Sequence, residues 1–389
     1  VAVNKESVCM LPDIQFVQRP GIIEFGWGHL AAELLPDTEL LHAATWVLSR
    51  DAYPALTYGF AQGPGRLLAL LAERLAVPET ELMITGGTSQ ALDMLCKQLT
   101  KPGDVVLVEA PTYHLALRIF RDYGLRFVTV PGDQQGLHVT AVTTLVKMLR
   151  SRGERVAFLY LVPSFNNPSG VTLNAERRAE LARLALALDL TVIEDEAYAE
   201  LWYDAPPPPP IASFAPGGSL IRLGSFAKVL APGLRLGWMQ APASLIQRCV
   251  HAGMLDSGGG VNHFTAHVVW ALLQAGDFEP HVLHLRAALR ARRDTLLAAL
   301  ARAMPAGVTW RPPLGGFFVW LRAPSTIDTT ALLTHAEAAG VSYIPGERFY
   351  AGGGGRNELR LAFSMLPPDD LVEGARRLGQ VLKQALQRA

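Results

Sequence analysis

The chain has 389 residues, half of them apolar, and its 35 Lys and Arg balance 35 Asp and Glu. That is enough apolar sequence to bury a large core in two or three domains, and the charge balance leaves no net field to attract a polyanion, so nucleic acid is not expected as a partner. Three scattered cysteines, Cys9, Cys96 and Cys249, suit neither a disulfide framework nor a zinc site; no apolar run reaches the roughly 18 residues of a membrane span, and VAVNKESVCM has no basic-then-apolar pattern, so no membrane association and a cytoplasmic location are expected.

Residues 1 to about 40 show no regular period and are expected to be irregular. From Leu41 onward, short β-type runs alternate with helix-length periodic stretches, which reads as an α/β fold with a mainly parallel sheet. Strands are expected at ELMIT (81–85), DVVLVEA (104–110), RFVTV (126–130), RVAFLYLV (155–162), LTVIED (190–195) and SLIRLGS (219–225). ALDMLCKQL, HLALRIFRDYG and AERRAELARLALALD repeat apolar residues at helical spacing and supply covering helices. Pro206 to Pro210 cannot donate backbone hydrogen bonds and read as an extended polyproline II loop. Beyond Asp277 come a long amphipathic helix, short strands at VTWRP, GGFFVWLR, VSYIP and ELRLAFS, and a terminal helix, which together read as a smaller α/β domain. The GGGG at 352–355 reads as a flexible loop. The resulting division is an N-terminal segment at 1–40, a large domain at 41–277 and a small domain at 278–389.

Four places carry chemistry. In ELMITGGTSQAL a strand passes through a glycine turn into a helix, a geometry that aims backbone N–H groups at an anion, with Thr88 and Ser89 adding hydroxyls. It is neither a P-loop nor a dinucleotide fingerprint, and an ordinary turn with an N-cap threonine is the plain alternative. Asp195 ends a buried strand, where open α/β sheets bind ligands and an unpaired carboxylate is costly, although strand-end aspartates also serve simply as turn caps. Asn166 and Asn167 close the preceding strand, with a turn as the plain reading. In GSFAKVLAPGLRLGW, Lys228 sits among small and apolar residues, with Ser225 and Arg235 nearby. A desolvated lysine is suited to a Schiff base, whereas a single lysine ordinarily snorkels to the surface. Together these are the parts that pyridoxal 5′-phosphate (PLP) requires: an imine-forming lysine, an acid for the pyridine nitrogen and a phosphate site.

At these residues the sequence resembles the fold type I PLP-dependent aminotransferases of class I/II, in the branch of 2-aminoadipate and kynurenine aminotransferases and MocR-type regulator domains. The resemblance runs in order through QRPGIIEFGWGHLAAELLP, LTYGFAQG, TGGTSQALD, EAPTYH, PSFNNPSG, EDEAY, GSFAKVLAPGLRLGW, PLGGFFVWL and NELRLAFS. It implies a large domain with a seven-stranded, mainly parallel sheet, a smaller α/β domain, and an N-terminal segment packing with the small domain and the substrate entrance. It also implies that Lys228 holds the cofactor as a Schiff base and moves the α-proton. Asp195 matches the partner of the ring nitrogen, Tyr198 and Asn167 the pair that bonds the ring's phenolic oxygen, and Tyr113 the aromatic stacked on the ring. Gly87, Thr88, Ser89, Ser225 and Arg235 match the phosphate site, and Arg360 matches the grip on the substrate carboxylate. Tyr58 matches a tyrosine that reaches the neighbouring subunit's phosphate, which implies a homodimer with shared active sites.

The departures lie on the substrate side. Where the branch reads GGLP, this chain has Trp27, Gly28, His29 and Leu30; Gly28 still permits close approach, while Trp27 reshapes the wall beside it. Leu11 and Pro12 stand near a place where the branch carries a helix with an arginine, which argues against a dicarboxylic donor. Asn166 stands where the family often has Gln. The implied activity is transfer of an amino group between an L-amino acid and a 2-oxo acid. A specialised biosynthetic use of the same site, by elimination, replacement, carbon–carbon bond formation or oxidation, is the first alternative, and a ligand-sensing regulator domain is the remote one.

Overall fold

The computed structural model describes residues 19–215 and 218–388, so Cys9, Leu11 and Pro12 lie outside the described residues. Seven strands build the main sheet: β1 Leu82–Thr85, β2 Val105–Glu109, β3 Arg126–Val130, β4 Val156–Leu161, β5 Val192–Asp195, β6 Leu220–Ser225 and β7 Gly237–Gln240. Their order is β1-β7-β6-β5-β4-β2-β3. The run from β6 to β3 is parallel, and β7 is antiparallel to both neighbours, which leaves β1 pointing with the rest. Alternate residues face opposite layers: Val106, Val108, Phe158, Tyr160 and Ile193 join one buried cluster, and Val105, Leu107, Leu159, Leu161 and Val192 the other.

The pattern above does not single out β7. It is four residues long, and only its pairing on both sides distinguishes it from the loop after Lys228. The same pattern also misses the helix Val139–Ser151, whose Val and Thr content lowers helix propensity although Val139, Val142, Val146 and Leu149 line its buried face. Residues before 41 are less irregular than expected. Ile23–Glu24 pairs in parallel with Val341–Ser342, and a helix begins at Asp37.

The second sheet has strands β8 Thr309–Trp310, β9 Phe318–Arg322, β10 Ile344–Pro345 and β11 Glu358–Ala362, in the antiparallel order β8-β9-β11-β10. VSYIP is split at Tyr343, whose hydroxyl donates to Thr329 O at 2.7 Å. The helices Phe278–Ala303 and Pro368–Arg388 pack together against this unit. The GGGG run is a turn with Gly353, Gly354 and Gly355 at positive φ, and a Cβ on Gly354 would sit 3.2 Å from the Tyr350 ring.

Because the parallel strands share a direction, their carboxyl ends meet at one edge. Buried Arg178 ties the loops there, donating to Leu173 O (2.9 Å), Pro163 O (2.9 Å), Ser164 Oγ (2.8 Å), Glu196 Oε1 (3.0 Å) and Pro209 O (3.3 Å). Glu194 accepts from Ile211 N at 2.8 Å and Ala212 N at 3.0 Å, anchoring the end of the proline run.

Candidate active site

Lys228 follows β6 and is half-buried. Its Nζ donates to Gly28 O at 3.2 Å and lies 6.0 Å from the centre of the Phe317 ring. Burial first, then Arg360 and Arg235, bring its pKa down to about 8 against the pull of Asp195. The small residues around it answer to backbone packing: a Cβ on Gly224 would run into the Trp238 indole, and one on Gly237 would lie 2.5 Å from Gly224 O and 2.9 Å from Gly87 Cα.

Asp195, at the end of β5, accepts from Tyr160 Oη at 3.0 Å and from Ala197 N at 3.3 Å. It is therefore also a turn cap, as its plain reading has it. Burial raises its pKa to about 6, while the Tyr160 and Ala197 bonds hold the rise back. Tyr160 answers the need of a hydroxyl in an otherwise apolar strand, a signal present in RVAFLYLV.

On the far side of the edge, the helix Thr88–Leu99 starts at Gly87, φ 95°, with no side chain capping it. Arg235 is in the left-handed region at φ 48° and donates to Gly86 O at 2.9 Å, which sets its guanidinium beside Gly87 and that free helix start. Gln90 folds back to accept from Gly86 N at 2.6 Å and shapes the turn. Thr88 is half-buried, Ser89 is exposed, and Ser225 Oγ accepts from Ala227 N at 3.1 Å.

Arg360 reaches in from β11 and is 4% exposed. Its Nη1 donates to Asn167 Oδ1 at 2.8 Å and its Nη2 to Gly26 O at 2.6 Å, while buried Nε has no protein partner among the described residues. Phe318 and Phe349 flank the guanidinium carbon, with ring centres 4.1 and 5.1 Å away. Burial lowers its pKa to about 10. Tyr198 is buried, lies close to Asn167 and packs edge-on against Phe317 and Phe318. Tyr113, held in the same electrostatic neighbourhood as Asp195, Arg360 and Arg235, has its phenol pushed up to about 12, chiefly by burial. Its loop is pinned to the small unit by Thr112 N donating to Phe349 O at 2.9 Å.

The structure thus brings Lys228, Asp195, Tyr113, Asn167, Tyr198, Arg360, Gly87 and Arg235 to one sheet edge. It does not bring Tyr58 there within the chain: Tyr58 is 86% exposed and lies against Gly258.

The family model described as aminotransferase class I and II matches residues 32–378. The chain belongs to that family. It is 35% identical over 96% of its length to "Aromatic-amino-acid aminotransferase 1" of Thermococcus litoralis, covering 91% of that protein. It is 37% identical over 96% of its length to the 2-aminoadipate transaminase of Thermus thermophilus, covering 93% of it. Among solved structures, the multiple substrate aminotransferase from Thermococcus profundus superposes with a TM-score of 0.91 at 35% identity, over 96% of this chain and 94% of that one. This chain is a PLP-dependent aminotransferase with the fold type I architecture.

The site of this aminotransferase fits its cofactor on its own chemistry: an amine already lowered to about 8, an uncapped helix start beside a guanidinium, and a buried carboxyl at about 6. On the substrate side, Gly26 and Phe318, which lie inside the motifs above without being singled out there, and Phe349, which lies outside all of them, hold Arg360. Trp27 and His29 flank Gly28 with ring centres 5.9 Å apart. A Cβ on Gly28 would lie 2.7 Å from Phe318 Cζ. The His29 imidazole, drawn down to about 4 by burial and by Lys228 and Arg360, is neutral at ordinary pH.

Proposed function

We propose that Lys228 is the residue that carries the cofactor. Its depressed amine pKa, beside the phosphate cradle and Asp195, is the observation that supports this most directly. The residues of 41–277 hold the cofactor and 278–389 supplies Arg360, with Gly87, Thr88, Ser89, Ser225 and Arg235 around the phosphate. Asn167 and Tyr198 face the ring's phenolic oxygen, and Tyr113 covers its face. When bound, the cofactor supplies an electron sink for the donor's Cα. Lys228 Nζ takes the α-proton and returns it, Arg360 orients the donor through its carboxylate, and Asp195 as carboxylate holds the opposite end of the site. A ping-pong exchange follows from one site serving both half-reactions.

The donor class that best fits the wall is an uncharged, ring-bearing L-amino acid. Trp27 and neutral His29 present flat surfaces there rather than a guanidinium for a second carboxylate, and the first relative above is named for aromatic amino acids. Tyr53, Tyr58 and Phe60 are each more than 80% exposed, with Leu56 at 65%. Apolar exposure on this scale suits an interface, and the reading is a homodimer in which Tyr58 completes the partner's phosphate site, working in the cytoplasm. Borohydride reduction of the yellow protein should fix the label on the Lys228 peptide and nowhere in Lys228→Ala. Donor-induced spectral change should be faster with aromatic than with dicarboxylic amino acids. Light scattering should give twice the chain mass; a monomer with full cofactor affinity would end the shared-site reading.

A further inference from the structure

Glu109 closes β2, four residues before Tyr113, and is 9% exposed. Its Oε1 accepts from Val162 N at 2.6 Å and from Asn166 Nδ2 at 2.7 Å. The other end of the Asn166 amide is also spent locally: Oδ1 accepts from Ser169 N at 2.9 Å and from Ser169 Oγ at 2.8 Å. Main-chain bonds from Asn166 N to Val171 O (2.8 Å) and from Gly170 N to Asn166 O (2.7 Å) close the turn. The next residue, Asn167, faces the other way, to Arg360 and Tyr198. One carboxyl oxygen therefore joins the segment that carries Tyr113 to the turn that carries Asn167. Its second oxygen has no protein partner among the described residues, and Glu109 lines a cleft of about 540 Å³ between the two units, with Tyr350 and Glu358 on the opposite wall. The strut thus stands at the seam across which Arg360 enters.

We propose that Glu109 is a positioning residue of the transamination site: through Asn166 it fixes the turn that presents Asn167 to Arg360 and to the cofactor ring. This rests on the cofactor reading above. Glu109 touches neither the lysine nor Arg360, and its two bonds are made to a backbone N–H and an amide. What it needs at this position is an acceptor, not a charge. Neutral Gln retains the acceptor, while Leu keeps the bulk and removes it.

The test compares Glu109→Gln, Glu109→Leu and Asn166→Leu in the PLP-loaded enzyme. The readouts are the pH midpoint of the visible band of the lysine–cofactor imine, the donor KM and the melting temperature. With Asn167 loosened, donation to the ring oxygen weakens and the imine keeps its proton to higher pH. Glu109→Leu and Asn166→Leu should each raise the midpoint by about one pH unit and raise donor KM about tenfold, whereas Glu109→Gln should restore the wild-type midpoint. A lower melting temperature with unchanged midpoint and KM would make Glu109 merely structural and overturn the proposal, as would a Gln variant as shifted as Leu. If Glu109→Leu does not fold, Asn166→Leu cuts the same link from the other side and decides by the same readouts. A wild-type protein with no visible band would overturn the cofactor reading, and this proposal with it.

Discussion

Arg360→Lys is the sharpest test of the substrate grip. Arg360 spends Nη1 on Asn167 and Nη2 on Gly26 O, which leaves buried Nε as a donor with no protein partner among the described residues. A buried unpaired N–H costs about 1–3 kcal/mol, so a carboxylate arriving along the Nε edge relieves a cost that the free enzyme carries. Lysine keeps a positive charge but has one nitrogen, and its ammonium cannot reproduce a planar fork held between Phe318 and Phe349. It must either abandon Asn167 and Gly26 or meet the carboxylate poorly. Losing one to two charge-assisted bonds, at about 1.5–3 kcal/mol each, gives roughly 3 kcal/mol, or about a hundredfold in kcat/KM. Stopped-flow measurement of the donor half-reaction reads this directly, with the visible band confirming that the cofactor is in place. A normal band with kcat/KM within about threefold of wild type would refute the assignment of Arg360.

Gly28→Ala should raise donor KM without bleaching the enzyme, because its Cβ would crowd Phe318, which supports Arg360; overpacking of this kind costs about 1–3 kcal/mol, and donor kinetics check it. Tyr160→Phe removes a bond that stabilises ionised Asp195, so its pKa should climb further above about 6. PLP affinity of the apoprotein, lost as pH falls through that pKa, should then begin to fall at a pH higher by about one unit, which a fluorescence titration would show. Arg178→Met strands buried Glu196 and removes the guanidinium donor from the backbone carbonyls Leu173 O, Pro163 O and Pro209 O. Breaking a buried pair in this way costs about 3–5 kcal/mol, visible as a lower denaturation midpoint.

The parallel sheet was readable because its strands are buried on both faces and appear as unbroken apolar runs. Lys228 and Asp195 were readable for a related reason: each is an ionisable group at the end of such a run, where burial demands a partner. The glycines around Lys228 also answer to close strand packing. The structure assigns Gly224 and Gly237 to packing against Trp238 and Gly87. Gly237–Gln240 has too few residues for a period, and Val139–Ser151 sets local propensity against a tertiary face that wins.

The partners of the site residues were hidden because the bonds that orient them join residues far apart in the sequence. Arg360 meets Asn167 across 193 positions and Gly26 across 334, and Tyr160 meets Asp195 across 35. A motif marks where a functional side chain leaves the backbone; it does not mark what holds that side chain still. Asn166 shows the difference. Read as a substitution beside a motif residue, it had no visible role. In the fold it spends its side-chain amide on Glu109 and Ser169, so the asparagine facing the site and the one facing away divide the work of one turn. Variation at position 166 should therefore act on how firmly Asn167 is presented, rather than on which donor is accepted. On the donor reading proposed above, Trp27 and His29, which flank Gly28, are the positions where donor preference should change.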